Sequence, residues 1–210
     1  MGTQNLPPLY LITNRHHTLH RPLLQILKEA LQAGVRLIQL REKDVSTRRL
    51  VALANEALTL TRDYDATLMI NDRLDIVQAI GADGVHLRSN SLPVRAARRL
   101  LGPHKLIGVS CHSVQEILQA ETEDANFAVL GPIYPTPSKQ RYGPPLGVHV
   151  LQEACRVCHI PIYAIGGITD QRVSTVKEAG AHGVAILSFI LEADSVPSTS
   201  RLVLEALQKP

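Results

Sequence analysis

Eight times over, this chain sets a short run of apolar residues before a longer segment whose apolar residues recur at helical spacing. The short runs are Leu9–Thr13, the opening of the segment Arg36–Asp44, Thr67–Asp72, Gly84–Leu87, Leu106–Ser110, Phe127–Leu130, Ile162–Ile165 and Val184–Leu187. Between them lie stripes such as Leu23, Leu24, Leu27, Ala30 and Leu31, closed by Gly34, and Leu50, Leu53, Ala54, Ala57 and Leu58 in a helix from about Ser46 to Tyr64. Strands joined through helices are parallel and need both faces covered, and these strands are apolar enough for that. Eight such units predict an α/β chain closed into one (β/α)8 barrel spanning residues 1–210. An open doubly wound sheet would carry a glycine-rich turn after its first strand, and Thr13-Asn-Arg-His16 has none.

Composition narrows the function. Hydrophobic residues make up 45% of the 210, enough for a sizeable core, and aromatics only 3% with no Trp, which argues against a base-stacking surface for nucleic acid. The net charge of +3 is small and dispersed. No apolar run reaches membrane-spanning length and the first residues do not read as a signal peptide, so the expected location is the cytoplasm. A homo-oligomer is compatible with the pattern. Cys111, Cys155 and Cys158 are too few and too odd for a disulfide framework. Cys155-Arg-Val-Cys158-His159 fits the spacing for covalent haem attachment, but it closes an apolar-periodic helix, and two helix cysteines, one facing the core, is the simpler reading.

In a barrel of this kind the chemistry gathers at the C-terminal ends of the strands. The second strand offers Gln39, Arg41 and Lys43, which alternate onto one face, the third Asn71 and Asp72, and the fourth His86. The fifth offers Ser110 and His112, the loop after the sixth Thr136, Ser138 and Lys139, the seventh Gly166 and Gly167, and the eighth Ser188. A cationic stripe on an inner face needs an anion. The paired glycines let backbone N–H groups approach an oxyanion, in the place where such barrels commonly hold a phosphate, although a tight turn alone would also require them. The cations lie on other strands, so the mouth has room for a second anionic group. Asp72 is the candidate carboxylate for a Mg2+ ion, or the cap of a helix starting at Arg73. His112 is placed to donate a hydrogen bond or move a proton near neutral pH, or to be a plain polar strand end.

These residues resemble the thiamine-phosphate synthases and their relatives, the thiazole tautomerases. The resemblance runs from Leu9 to about Ile190 and rests on six motifs in order: Gln39-Leu-Arg-Glu-Lys43, Ile70-Asn-Asp72, Gly81-Ala-Asp-Gly-Val-His86, Gly108-Val-Ser-Cys-His112, Gly131-Pro-Ile-Tyr-Pro-Thr-Pro-Ser-Lys139 and Ala164-Ile-Gly-Gly-Ile168. It implies a (β/α)8 barrel that joins hydroxymethylpyrimidine pyrophosphate to thiazole phosphate and releases pyrophosphate with Mg2+. It implies that Gln39, Arg41, Lys43, Asn71 and Lys139 hold the pyrophosphate and that Asp72 binds Mg2+. Ser110, Thr136 and Ser138 would line the reacting centre, while Gly167 and Ser188 grip the thiazole phosphate.

One departure stands out. Synthases usually follow the fourth-strand His with a Gly-Gln-Glu-Asp type of segment, whose Asp is a second Mg2+ ligand. Here the segment is Leu87-Arg-Ser-Asn-Ser91, with Ser91 in that place and suited to cap the next helix. Arg88 is positioned to neutralise pyrophosphate directly. The tautomerases shift a double bond in a carboxylated thiazole phosphate by proton transfer and without metal. The missing carboxylate favours them, with His112 as acid or base; the retained cations favour the synthase. A barrel that binds a thiamine precursor without turnover is a third reading.

Overall fold

A computed structural model describes residues 6–136 and 143–209. Its eight strands are β1 (Leu9–Ile12), β2 (Leu37–Leu40), β3 (Thr67–Asn71), β4 (Gly84–Leu87), β5 (Leu106–Cys111), β6 (Phe127–Leu130), β7 (Ile162–Ile165) and β8 (Gly183–Ile186). All pairings are parallel, and β8 returns to β1 through Leu9 against Val184 and Leu11 against Ile186, closing the barrel expected from the alternation. The helices are α1 (Leu23–Gln32), α2 (Thr47–Arg62), α3 (Leu74–Ile80), α4 (Val94–Leu101), α5 (Val114–Thr122), α6 (Gly147–Val157), α7 (Val173–Glu178), α8 (Ser188–Leu191) and α9 (Val196–Gln208). None of the described helices is long and apolar enough to cross a membrane.

Two separate cores explain why the strands are apolar on both faces. Leu9, Leu11, Ile38, Leu40, Leu68 and Ile70 point outward under the helices. Tyr10, Ile12, Leu37, Met69, Phe127, Val129 and Tyr163 point inward and fill the barrel. The interior is aromatic: Tyr10, Phe127 and Tyr163 pack with ring centroids 5.4–5.7 Å apart, two of the three pairs edge to face. Glycine makes the room. A Cβ on Gly108 would stand 2.3 Å from Phe127 Cζ and 2.8 Å from His86 Nδ1, closer than any real Cβ contact. A chain poor in aromatic residues thus spends three of them on one plug, which floors the barrel and leaves its C-terminal mouth open.

The helix starts differ from expectation at two informative places. Ser46, Ser113 and Ser195 cap α2, α5 and α9 by accepting backbone N–H groups. Ser91 does not cap the helix after it. That helix, α4, begins at Val94 behind Pro93, with no side-chain cap. Nor does Asp72 cap α3, which starts at Leu74 behind Arg73. Both side chains are engaged elsewhere.

Candidate active site

The mouth holds a cavity of about 810 Å³ lined by Gln39, Arg41, Lys43, Asn71, His86, Ser110, His112, Thr136, Gly166, Gly167 and Ser188. Of the described residues singled out for the site in the sequence, Asp72 and Ser91 do not line it. Ser138 and Lys139 lie outside the described residues. Strands three and seven are four apart in a ring of eight, so the β2–β4 wall and the Gly166-Gly167 turn face each other across this mouth.

The cationic wall is held from behind. Glu42 follows Arg41, and its side chain is fully buried. Its carboxylate accepts from Thr13 Oγ1 at 2.7 Å and from the Arg15 backbone N–H at 3.0 Å. Thr13 Oγ1 in turn accepts from the Arg41 backbone N–H at 2.9 Å, which fixes the start of the β2–α2 loop. Farther along that loop Arg15 forks onto Asp44 at 2.5 and 2.6 Å. Burial pulls the Arg41 guanidinium below the usual arginine range; Glu42 opposes this, and Arg88 adds like-charge repulsion. An anion placed between Arg41 and Arg88 relieves both effects.

Arg88, Asp72 and Ser91 form a closed ring. Arg88 donates through Nε at 2.9 Å and through a terminal nitrogen at 2.5 Å to Asp72 Oδ2. Ser91 Oγ accepts the Arg88 backbone N–H at 2.9 Å and donates to Asp72 Oδ1. Asp72 itself has φ of +62°, a left-handed conformation that aspartate tolerates better than most residues. Asn71 and His86 are register partners on β3 and β4, and Asp72 N–H donates to the His86 carbonyl at 2.9 Å.

Beneath the mouth runs a hydrogen-bonded line whose direction can be worked out. Gln39 is 1% exposed, and its Nε2 donates to the Tyr10 hydroxyl at 2.8 Å. The Tyr10 hydroxyl lies 3.3 Å from His86 Nδ1, and His86 Nε2 lies 2.9 Å from Ser110 Oγ. Burial first, then the charge of Arg41, depress the His86 pKa to about 3, so the ring is neutral and carries one proton. Tyr10 already accepts from Gln39, so its own proton goes to His86 Nδ1. The His86 proton is then on Nε2 and is donated to Ser110 Oγ. Ser110 accordingly turns its own proton toward the cavity: it is a donor to whatever binds there. His112 is set the other way, with Nδ1 donating to the Gly131 carbonyl at 2.7 Å, which leaves the lone pair on Nε2 when the ring is neutral.

Across the mouth, Gly166 and Gly167 have φ of +98° and +64°. A Cβ on Gly167 would stand 2.8 Å from Tyr134 Cβ and 2.9 Å from the Pro135 carbonyl oxygen, so turn and close approach both require glycine. The Gly167 carbonyl accepts from Arg172 at 2.5 Å, and that guanidinium stacks 4.4 Å from the Tyr134 ring centroid. Ser188 opens the short helix α8, which the sequence pattern did not separate from the eighth strand. The Cys158 thiol is buried and Cys155 half-buried at the end of α6, with burial raising both pKa values, as helix cysteines against a core should behave.

Sequence reasoning missed Tyr10 and Glu42. Tyr10 sat in an apolar run and Glu42 in a charged one, and each acts through a partner on another strand.

The sequence model of the family described as thiamine monophosphate synthase matches residues 9–190. The chain belongs to this family. A Geobacter sulfurreducens protein that carries the name thiamine-phosphate synthase provisionally is 46% identical over 202 residues, covering 96% of this chain and 94% of that one. The thiamine-phosphate synthase of Moorella thermoacetica is 41% identical over 189 residues, covering 90% of each chain. Among solved structures, the thiamine phosphate pyrophosphorylase of Pyrococcus furiosus superposes with a TM-score of 0.87 at 31% identity over 95% of both chains.

Proposed function

We propose that the chain is a thiamine-phosphate synthase, a transferase that joins hydroxymethylpyrimidine pyrophosphate to thiazole phosphate. What supports this reading is one mouth in which a cationic wall on β2–β4 faces a paired-glycine turn, with Ser110 lining the space between them. Arg41 and Lys43, with Asn71 beside them, receive the pyrophosphate. The Gly166-Gly167 turn and Ser188 receive the thiazole phosphate, and the plug of Tyr10, Phe127 and Tyr163 sets the depth. As the pyrimidine C–O bond breaks, the electron pair leaves on the pyrophosphate oxygen, where fixed cations stabilise the growing charge. The thiazole nitrogen then forms the C–N bond to the pyrimidine methylene. Ser110, held by neutral His86, orients the pyrimidine as a hydrogen-bond donor and takes no proton from it. Ser138 and Lys139 enter only as family expectations.

Magnesium is what membership of this family implies. Asp72 offers the carboxylate, but as arranged it does not fit a second cation well: both oxygens are engaged, and the Arg88 guanidinium already matches its charge. Among the described residues no three His, Cys, Asp or Glu side chains converge into a further site.

Incubating the purified protein with both substrates, with and without Mg2+, and assaying thiamine phosphate tests the reading; no product under either condition refutes it. The Nε2 lone pair of His112 and the absent second carboxylate favour a thiazole tautomerase as the second reading. A parallel assay with the carboxylated thiazole phosphate decides that one. Tight binding of both substrates with turnover in neither assay would identify a silent precursor-binding barrel.

A further inference from the structure

We infer that the Arg88–Asp72–Ser91 ring is a built-in cation site for diphosphate, in which a guanidinium stands in the place of a divalent metal. The inference deepens the synthase reading, since the diphosphate is the one assigned to this wall.

Three features of the ring support it. First, the guanidinium is locked. Two of its N–H groups are committed to Asp72 Oδ2, and the residue's own backbone N–H is tied to Ser91, so the side chain is ordered before a ligand arrives. Order in advance lowers the entropic cost of binding. Second, the lock is one-sided. The Arg88 side chain stays 43% exposed and lines the mouth, whereas Asp72 at 23% stands behind it. A diphosphate entering the cavity meets the cation and not the carboxylate. Third, Arg88 and Arg41 line the same cavity, so an anion with several negative charges can meet both guanidinium groups at once.

The same three residues explain why a dication is disfavoured. Mg2+ binds through carboxylates and phosphate oxygens and keeps an ordered water shell. Here Ser91 supplies a hydroxyl that already donates to Asp72, and the Arg88 guanidinium already neutralises the one carboxylate a dication would use. A smaller depression of about 400 Å³ at the opposite end of the barrel, beside Asp83 and Lys105, shows no comparable convergence.

Inorganic pyrophosphate is the probe, titrated calorimetrically into the full chain in EDTA and again in excess Mg2+. The two dissociation constants should agree within about threefold, because the cation is part of the protein. R88M should weaken binding in EDTA by about tenfold or more, through the loss of the fixed charge and of the charge-assisted hydrogen bonds its remaining N–H groups would give the ligand. R88K, which keeps a charge and loses the fork, should recover only part of that. The double variant R88Q/S91D, which removes the guanidinium and supplies a second carboxylate, should bind pyrophosphate weakly in EDTA and regain affinity with Mg2+. Tightening of wild-type binding by tenfold or more on adding Mg2+ would overturn the inference, as would R88M binding in EDTA like wild type. If R88M does not fold, the wild-type and R88K titrations decide. Turnover and binding separate the two readings. No thiamine phosphate together with intact metal-free pyrophosphate binding refutes the synthase and leaves the site. Turnover that needs Mg2+, with binding that needs it equally, refutes the site and leaves the synthase.

Discussion

Replacing Tyr10 by Phe removes one oxygen from the barrel interior and should reverse the polarity of Ser110. In the wild type the Tyr10 proton occupies His86 Nδ1 and forces the imidazole proton onto Nε2. Without that hydroxyl, Gln39 Nε2 loses an acceptor and His86 Nδ1 loses its donor, both at 2% exposure or less. An unmet buried polar group costs about 1–3 kcal/mol, and the aromatic packing is otherwise unchanged, so a net loss of about 2 kcal/mol is expected. For a chain of this length that is a fall in Tm of about 4–8 °C. The larger effect is on direction. His86 is free to move its proton to Nδ1, whereupon Nε2 accepts from Ser110 and the hydroxyl proton turns away from the cavity. Losing one donor at a reacting centre typically costs about 100-fold or more in kcat, and kcat should fall further than 1/KM for either substrate. Nitrogen-15 NMR of the histidine ring reports the tautomer. The reasoning is refuted if Y10F keeps kcat within twofold, or if His86 stays protonated on Nε2 while activity collapses.

Three further outcomes follow from the same geometry. His86 is held neutral with a pKa near 3 against 6.5 unfolded, so the unfolded chain binds the extra proton between those values and stability falls as pH drops through that window, by up to about 1.4 kcal/mol per pH unit; urea midpoints from pH 7 to 4 should show this slope, and it should flatten in H86Q. G167A places a Cβ against Tyr134 and the Pro135 carbonyl at positive φ, so it should cost about 1–3 kcal/mol and raise KM for thiazole phosphate, while pyrophosphate binding measured by calorimetry stays within threefold. E42Q exchanges one accepting oxygen for a donor that Thr13 and Arg15 cannot meet, so it should cost about 2 kcal/mol in denaturant unfolding and weaken pyrophosphate binding through the displaced Arg41 loop.

The barrel was legible because its signal is periodic and repeated: each strand is short and apolar on both faces, and each helix carries its own stripe. The mouth was legible for a related reason, since polar residues that end strands must collect on one side of such a barrel. What stayed hidden depends on neighbours that are remote in sequence. Tyr10 and His86 meet inside the barrel 76 positions apart. Nothing in Leu9-Tyr-Leu-Ile12 says that the hydroxyl finds an imidazole. Glu42 sits between Arg41 and Lys43 in a charged run, but alternation turns it outward beneath the β1–α1 loop, where Thr13 and Arg15 enclose it. Ser91 resembled a helix cap because serine caps are common; Pro93 delays the helix to Val94 and frees the hydroxyl for Asp72.

Under the proposed assignment of the two walls, ring closure between β8 and β1 also divides the chain by substrate. One arc of the mouth is drawn from residues 39–91 and the facing arc from residues 166–188, each nearly contiguous in sequence. Changes that retune affinity for one substrate can therefore accumulate in one stretch of the gene without disturbing the other. Tyr10 escapes this partition: on the strand between the two arcs, it touches the imidazole that aims Ser110 at the join, so drift there is felt by both halves of the reaction at once.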